Sequence, residues 1–443
     1  MTIALDASQQ AACDLVCTAR LGVVTGSPGT GKTTCLRTAL DRLDALPEPD
    51  GWPCVNCNGT GREPAIGSYA PTCMTCDGRR VTPVERYVLA SPTGKAAQRM
   101  TQATGREART VHRLLEYRSG GVFARNARNP ITAALVVVDE ASMLDIELAA
   151  ALVDAIDPTR TRLVLVGDVN QLPPVGPGRP FADLIESARI PVARLTTLHR
   201  AAAETWVCSQ SPVVLAGKLP DLRKRKDFRL ITCASALDVA NAVLREVTAH
   251  AAADAGEMQV LTPQHKGGAG VEQINQALQA ALNPRSRVVG APSWGARDER
   301  IFVGDRVLQT KNDYELGVMN GETGVVIDLN DTSLVVDFGE DGIAREATYN
   351  RLQASSLHLA YAITIHKSQG SEWPWVCVVV HSTHTIMLTR ALVYTAITRA
   401  RQGVVIVGDE LGLKRAVANV HDTSRNSSLQ RRIERASGDG GAS

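Results

Sequence analysis

Four stretches in the first half of the chain are almost continuously apolar: LGVVTG (21–26), RYVLAS (86–91), ALVVVDE (134–140) and RLVLVGD (162–168). Short Val-rich runs without polar alternation are what strands look like when both faces of a parallel sheet are covered. Each run reaches a small or polar residue at its end: Gly26, Ser91, Asp139 and Gly167. Ligands of open α/β sheets sit beyond the carboxyl ends of the strands, where such residues gather. The second half repeats the theme with EMQVLTP (257–263), WVCVVV (375–380) and GVVIVGD (403–409), with helical stretches such as VEQINQALQAAL (271–282) among them. Between 301 and 349 the period shortens to alternating strands and turns, with a hairpin signal at Asn320-Gly321. The pattern predicts an α/β protein of two similar lobes, a small β-barrel inserted in the second, and a disordered tail over 431–443.

A length of 443 residues fits more than one hydrophobic core. No apolar run approaches the roughly 18 residues of a membrane span, and MTIALDASQQ lacks the basic and apolar regions of a signal peptide, so a cytoplasmic location without membrane contact is expected. The net charge is only +2. Binding to nucleic acid would therefore need local patches. The one dense basic run, LRKRKDFR (222–229), reads either as a solvated face or as such a patch.

Gly26-Ser27-Pro28-Gly29-Thr30-Gly31-Lys32-Thr33 fits G-x-x-x-x-G-K-[ST] between a predicted strand and the helical KTTCLRTALDRL (32–43). The glycines let backbone N–H groups turn towards phosphate oxygens, and Thr34 extends that loop. Lys32 brings charge to the β/γ-phosphates, and the Thr33 hydroxyl can ligate Mg²⁺. In VVVDEAS (136–142), Asp139 suits the carboxylate that holds Mg²⁺ and Glu140 the base that orients the attacking water. Two acids at a strand end can also cap a helix, a part that Asp145 is expected to play. With the phosphate loop present, the chain reads as an NTPase.

Phosphate loops serve kinases, GTPases, transporters and motors alike. The remaining motifs, in order, are SPTGKAAQRM (91–100), TVHRLL (110–115), VVVDEASML (136–144), LVGDVNQLPPVGPG (165–178), LTTLHR (195–200), AYAITIHKSQGSEW (360–373) and ALVYTAITRARQGVVIVG (391–408). On these the sequence resembles the superfamily 1B helicases, specifically the RecD-like and Dda-like group, over nearly the whole chain apart from a cysteine insert and the tail. The resemblance implies two RecA-like P-loop lobes: 1A over 1–46 and 84–195, with a short strand-separating pin (1B) at about 116–131, and 2A over 196–300 and 350–430. The barrel at 301–349 resembles the family's SH3-like 2B domain. ATP would bind between the lobes, with Gln9 (or its neighbour Gln10) reading adenine and Gln171 sensing the γ-phosphate. Arg200 and Arg399 would reach across from the second lobe, and Gly370 and Glu372 would touch the nucleotide.

The same resemblance places single-stranded DNA along Ser91, Pro92, Thr93, Lys95, Thr110 and His112 of the first lobe and Thr364, His366, Lys367 and Ser368 of the second. Small hydroxyls and a few cations suit phosphate contacts that position a strand without reading it. His112 reads equally as a buried, satisfied histidine, and Trp373 and Trp375 either stack on bases or pack. Phe123, in YRSGGVFARNARNP (117–130), is the candidate wedge of the pin. The function implied is an ATP- and Mg²⁺-dependent 5′→3′ DNA helicase or translocase, monomeric, acting on single-stranded or forked DNA in replication, recombination or repair. The alternatives are an ATP-gated nucleic-acid-binding or partner-loading protein that does not unwind, and an RNA-directed relative.

Ten cysteines with no export signal argue against a disulfide framework. Cys54-x₂-Cys57-x₁₅-Cys73-x₂-Cys76 fits a four-thiolate Zn²⁺ site by number and spacing. CVNCNGTG resembles the CxxCxGxG repeat of DnaJ-type zinc modules, whereas CMTCDGRR lacks the final glycine; a metal-free loop or a redox pair is the alternative. The insert over 47–83 holds few apolar side chains and would need such a staple to fold. It is expected as an accessory zinc knuckle that touches DNA or a partner protein.

Overall fold

The computed structural model describes residues 5–49, 51–53, 57, 59–60, 62, 70–74, 77–79, 81–118, 121–198, 205–253, 257–290, 292–296, 299–313, 315–339, 344–420, 425 and 428–438. The first lobe runs α1 (Ala7–Thr18), β1 (Leu21–Gly26), α2 (Lys32–Asp44), the paired segments β2 (Trp52–Pro53) and β3 (Val81–Thr82), β4 (Val88–Ser91), α3 (Gly94–Thr104), β5 (Ala108–Thr110), α4 (Val111–Leu114), the hairpin β6 (Tyr117–Arg118) and β7 (Val122–Phe123), β8 (Leu135–Val138), α5 (Ile146–Asp154), β9 (Arg162–Gly167), α6 (Pro180–Glu186) and β10 (Val192–Leu195). Its sheet is all parallel in the order β10-β1-β9-β8-β4-β5.

The continuous apolar runs are explained by two apolar layers. In β8, Val136 and Val138 enter one layer while Leu135 and Val137 enter the other; in β9, Leu163 and Leu165 part from Val164 and Val166 in the same way. A strand with helices on both faces has no polar side to show. Four of the first lobe's helices, α1, α3, α4 and α5, start on side-chain caps. Asp6 receives Ser8 and Gln9 backbone N–H groups at α1, and Asp145 receives Leu148 N at 2.8 Å at α5.

The second lobe contains β11 (Phe228–Thr232), β12 (Met258–Thr262), the hairpin β13 (Trp294–Ala296) and β14 (Glu299–Ile301), β15 (Arg306–Gln309), β16 (Thr323–Leu329), β17 (Leu334–Asp337), β18 (Glu346–Tyr349), β19 (Leu357–Leu359), β20 (Ala362–Thr364), β21 (Trp373–Val380) and β22 (Ala400–Gly408). Strands β11-β22-β21-β12-β20 form a second parallel sheet with the same two-layer burial. Strands β18-β17-β16-β15-β19 form the inserted antiparallel sheet, whose last strand lies beyond residue 349. Val307, Val336 and Leu357 of that sheet share one core with Val260 and Val405 of the lobe, so insert and lobe pack as a unit.

The tail corrects the expectation of disorder over 431–438: Leu429–Gly438 is a helix, and Leu429, Ile433 and Ala436 face Leu144, Val153, Phe181 and Leu184 of the first lobe. Among the described residues no helix is long and apolar enough to cross a membrane.

Candidate active site

β1 ends at Gly26, and the loop that follows curls back on itself. Gly29 and Gly31 take φ of 80° and 85°, a left-handed conformation that favours glycine. A Cβ on Gly26 would lie 2.6 Å from Thr30 Oγ1 and 2.8 Å from Leu195 Cβ. α2 begins without a side-chain cap, which leaves its first N–H groups available to an anion. Lys32 Nζ donates to Gly26 O at 2.6 Å and Ser27 O at 3.3 Å, and so is held over the loop. Gln9 is buried beside it. Its Oε1 accepts from Asp6 N at 3.2 Å and its Nε2 donates to Thr30 O at 3.2 Å. The amide expected to read adenine is thus engaged by the protein, tying the start of α1 to the phosphate loop.

At the end of β8, Asp139 Oδ1 accepts from Glu140 N at 2.8 Å. Enclosure, and then the adjacent Glu140 carboxylate, push the Asp139 carboxyl up to about 6, against the opposing pull of Lys32 and Arg99. Glu140 itself sits at φ 52°, ψ 35°, an unusual conformation for a residue with a side chain. Gln171, after β9, is buried; its Nε2 faces Asp168 Oδ2 at 3.5 Å, and its Oε1 has no partner.

The second lobe closes the site. Arg399 is buried, with Nε donating to Thr395 O at 3.1 Å and Nη1 to Ser371 O at 3.3 Å. Gly370 (φ 73°) meets α3 so closely that a Cβ there would lie 3.0 Å from Ala96 Cβ. Arg99 of α3 donates to Gly370 O at 3.0 Å and to Glu372 Oε2 at 2.7 Å, while Arg401 approaches the same carboxylate at 3.1 Å. Burial alone would lift the Glu372 carboxyl, yet Arg99, Arg399 and Arg401 outweigh it and hold the group at about 2. Gln9, the phosphate loop, Asp139, Glu140, Gln171, Gly370, Glu372 and Arg399 line one cleft of about 580 Å³ between the lobes. Arg200 lies outside the described residues.

The expected strand contacts divide. Thr93, Thr110 and Thr364 cap short helical segments, accepting from Ala96 N, Arg113 N and Lys367 N at 3.3, 3.1 and 3.4 Å. A hydroxyl that accepts can still donate its proton to a phosphate. Ser368 cannot serve in the same way here, because it is fully buried and donates to Ile365 O at 2.7 Å; Ser91 is also fully buried. Lys95 is buried with its ammonium 5.3 Å from the Trp373 ring centre, across the lobe boundary rather than on an open track. Trp373 therefore packs, as does the half-buried Trp375, against His250. Pro92 and His366 are half-buried. Burial lowers the Lys367 ammonium below its usual range, and Thr364 and Lys367 line a second groove of about 390 Å³ with His265, Lys266 and His358.

Phe123 is not a projecting wedge. It pairs with Tyr117 across the β6–β7 hairpin and packs on His112 (ring centres 6.0 Å) and Tyr117 (5.3 Å), facing the first-lobe core. The exposed apolar side chains of this hairpin are Tyr117 and Val122. His112 is the half-buried partner of both rings, and burial holds its imidazole below the usual range.

In the insert, Cys57 and Cys73 are buried against each other, and Trp52 docks under Arg160 of the lobe at 5.6 Å. Cys54 and Cys76 lie outside the described residues, among which no group of three metal-binding side chains occurs. Sequence reasoning passed over Arg99, Asp168 and Tyr394. Their signal was position alone: Arg99 one helical turn after Lys95, Asp168 three residues before Gln171, and Tyr394 five before Arg399.

Residues 4–236 match the AAA domain family, 359–407 the UvrD-like helicase C-terminal domain, and 274–338 the ATP-dependent RecD-like DNA helicase SH3 domain. The chain is 36% identical over 430 residues to the ATP-dependent RecD2 DNA helicase of Deinococcus radiodurans, covering 97% of this chain and 52% of the relative. It thus spans about half that relative's length. It is 32% identical over 461 residues to the RecBCD enzyme subunit RecD of Mycolicibacterium smegmatis, covering 97% of this chain and 75% of the relative. The crystal structure of Pif1 helicase from Bacteroides in complex with ADP-AlF3 and ssDNA shares the fold at a TM-score of 0.53 and 18% identity, with 99% of each chain covered. The domain matches run in the order of the lobes and the inserted barrel, and the sequence identity to RecD extends almost end to end: the chain belongs to the RecD-like family of superfamily 1B helicases.

Proposed function

We propose that the chain is an ATP-driven motor on single-stranded DNA, moving 5′→3′. The observation that carries this reading is the shared cleft, in which the phosphate loop, Asp139, Glu140 and Gln171 of one lobe face Arg399 and Glu372 of the other. A site split between two lobes can bind nucleotide through the phosphate loop of the first, but completes its catalytic set only when the second closes over it, so turnover and lobe movement are coupled.

In this reading Lys32 and the loop N–H groups hold the phosphates, Glu140 orients the attacking water, Gln171 faces the γ-phosphate, and Arg399 stabilises charge on the transferring group. Arg200 is assigned the same finger role by its motif. The Thr33 hydroxyl and the Asp139 carboxylate, one oxygen of which takes Glu140 N while Lys32 and Arg99 act on it through charge alone, fit a magnesium ion. Bound there, the ion would screen phosphate charge. The strand would run along Pro92, Thr93 and Thr110 on one lobe and Thr364, His366 and Lys367 on the other. The working units are the 1A, 2A, pin and 2B regions set out above. The inward Phe123 favours translocation over vigorous strand separation.

Zinc at Cys54, Cys57, Cys73 and Cys76 is retained as part of the proposal, supported by the spacing and by the burial of Cys57 against Cys73. Metal analysis of purified protein that finds no zinc would remove it, and with it the knuckle's assumed contact with DNA or a partner.

The deciding measurement is ATP turnover with and without single-stranded DNA, beside displacement on a 5′-tailed fork. Stimulation with displacement supports a helicase, and stimulation without it a translocase. Turnover that ignores DNA, or that answers only to RNA, rejects the proposal in favour of a partner-loading protein or an RNA motor.

A further inference from the structure

Tyr394 is contributed by the second lobe, from the helix Arg390–Ile397, yet its functional atom works in the first. Its hydroxyl donates to Asp168 Oδ2 at 2.8 Å. Asp168 is completely buried where β9 ends; its other oxygen accepts from Asn170 N at 3.0 Å. The Oδ2 atom that Tyr394 holds is the one Gln171 Nε2 faces, at 3.5 Å, too long for a strong bond and close enough to become one. Gln171 Oε1 is buried without a partner, in a side chain that lines the nucleotide cleft. A buried acceptor left unpaired costs free energy, and at a site such a group marks the place a ligand completes.

The same stretch is gripped twice more from the second lobe. Leu172 N donates to Thr395 Oγ1 at 2.8 Å, and Leu172 O accepts from Gln369 Nε2 at 3.2 Å. Residues 168–172 therefore follow directly on a first-lobe strand yet are held by hydrogen bonds from the second lobe. The Ser27 side chain of the phosphate loop acts on the same phenol. One phenol thus stands between the loop that would hold the phosphates and the carboxylate behind Gln171.

We infer that Tyr394 is a positioning residue that reports lobe closure to Gln171: its hydroxyl fixes Asp168, and Asp168 turns the Gln171 amide towards the nucleotide. This rests on the proposed ATPase reading and deepens it. Opening the lobes withdraws the hydroxyl, releases Asp168 and lets the amide rotate, so Gln171 is set only in the closed state. The relay moves no proton and breaks no bond; it acts through orientation, where small displacements carry large rate penalties.

The test is steady-state and single-turnover ATP hydrolysis by the full chain with single-stranded DNA, comparing wild type, Tyr394→Phe, Gln171→Ala and the double variant, with nucleotide affinity measured separately. Tyr394→Phe keeps the ring and removes only the hydroxyl. Its kcat should fall about tenfold or more, with KM and nucleotide affinity within about twofold of wild type. In the Gln171→Ala background the same change should cost nothing further, because the residue it positions is gone. A Tyr394→Phe enzyme with wild-type kcat overturns the relay, and so does a loss that adds in full to that of Gln171→Ala. Should Tyr394→Phe fail to fold, Asp168→Asn, which keeps the shape and can no longer accept from both donors equally, must show the same kcat loss and the same non-additivity or the relay is rejected. Wild-type protein without turnover would take down the parent reading as well, an outcome distinct from active wild type with an equally active Tyr394→Phe.

Discussion

Arg99 and Glu372 form an ion pair across the lobe boundary, 2.7 Å apart, with both groups partly open to water. The arginine comes from α3, one turn beyond Lys95, and the glutamate from the segment leading into β21. Together with the Arg99 bond to Gly370 O, this pair fixes how far the second lobe sits over the phosphate loop.

Because the pair is partly exposed, its loss should change global stability by less than about 1 kcal/mol. Its effect should fall on the cleft. Arg99→Ala and Glu372→Ala should each weaken nucleotide binding several-fold, and the double variant should be no worse than either single one. Full additivity in fluorescent-nucleotide titrations would show that the residues act separately.

The phosphate-loop assignments separate by step. Lys32→Ala should abolish nucleotide binding. Glu140→Gln should bind normally while kcat drops by about 10²–10⁴-fold, the usual scale for a lost general base. Arg399→Ala should bind and lose about 10³-fold or more in turnover. Wild-type turnover in any of the three removes that residue from the mechanism.

Gly94 begins α3 under the barrel: a Cβ there would overlap Met319 Cβ. Gly94→Ala should therefore cost about 1–3 kcal/mol, or push the barrel away from the first lobe. Met319→Gly, which removes the clashing atoms, should restore most of it. Urea midpoints of the two single variants and the pair decide, and an unaffected Gly94→Ala would place the barrel elsewhere in solution.

His384 is buried below the Ser382–Met387 turn, where its Nδ1 accepts from His381 N at 3.4 Å. Burial first, and then the neighbouring His381, depress its imidazole to about 4, against the opposing pull of the Ala269 backbone and, more weakly, of Asp409. The unfolded chain takes up this proton near 6.5 and the folded one near 4. Stability from this group is therefore complete above about 6.5 and is lost as the pH falls towards 4, by roughly 3 kcal/mol. His384→Gln, which keeps the acceptor and cannot ionise, should flatten that part of the urea-midpoint profile. Parallel profiles for variant and wild type would refute the assignment.

The sheets were legible because Val and Leu at adjacent positions leave no polar face, and the phosphate loop because its glycines and lysine must stand at fixed spacing. The end of β8 drew attention to Asp139 and Glu140, whereas Gln171 was read only from the motif of the family resemblance. The rest depended on partners far away in sequence. Lys95 reads as a phosphate contact until Trp373, in the other lobe, is found beneath it. Phe123 reads as a wedge until its ring is seen against His112. The helix Leu429–Gly438 was obscured by polar composition, although Leu429, Ile433 and Ala436 keep a helical spacing.

That last helix has a mechanical consequence. The described chain follows the second-lobe helix Glu410–Ala418 as far as Val420, and Arg425 donates to Gly176 O of the first lobe at 2.6 Å. Five residues, fully extended, span at most about 18 Å. Parting the two lobes at this edge by more than that length would have to detach Arg425 from Gly176 or lift the helix Leu429–Gly438 off Phe181 and Leu184, so covalent reach alone limits how far the cleft can open.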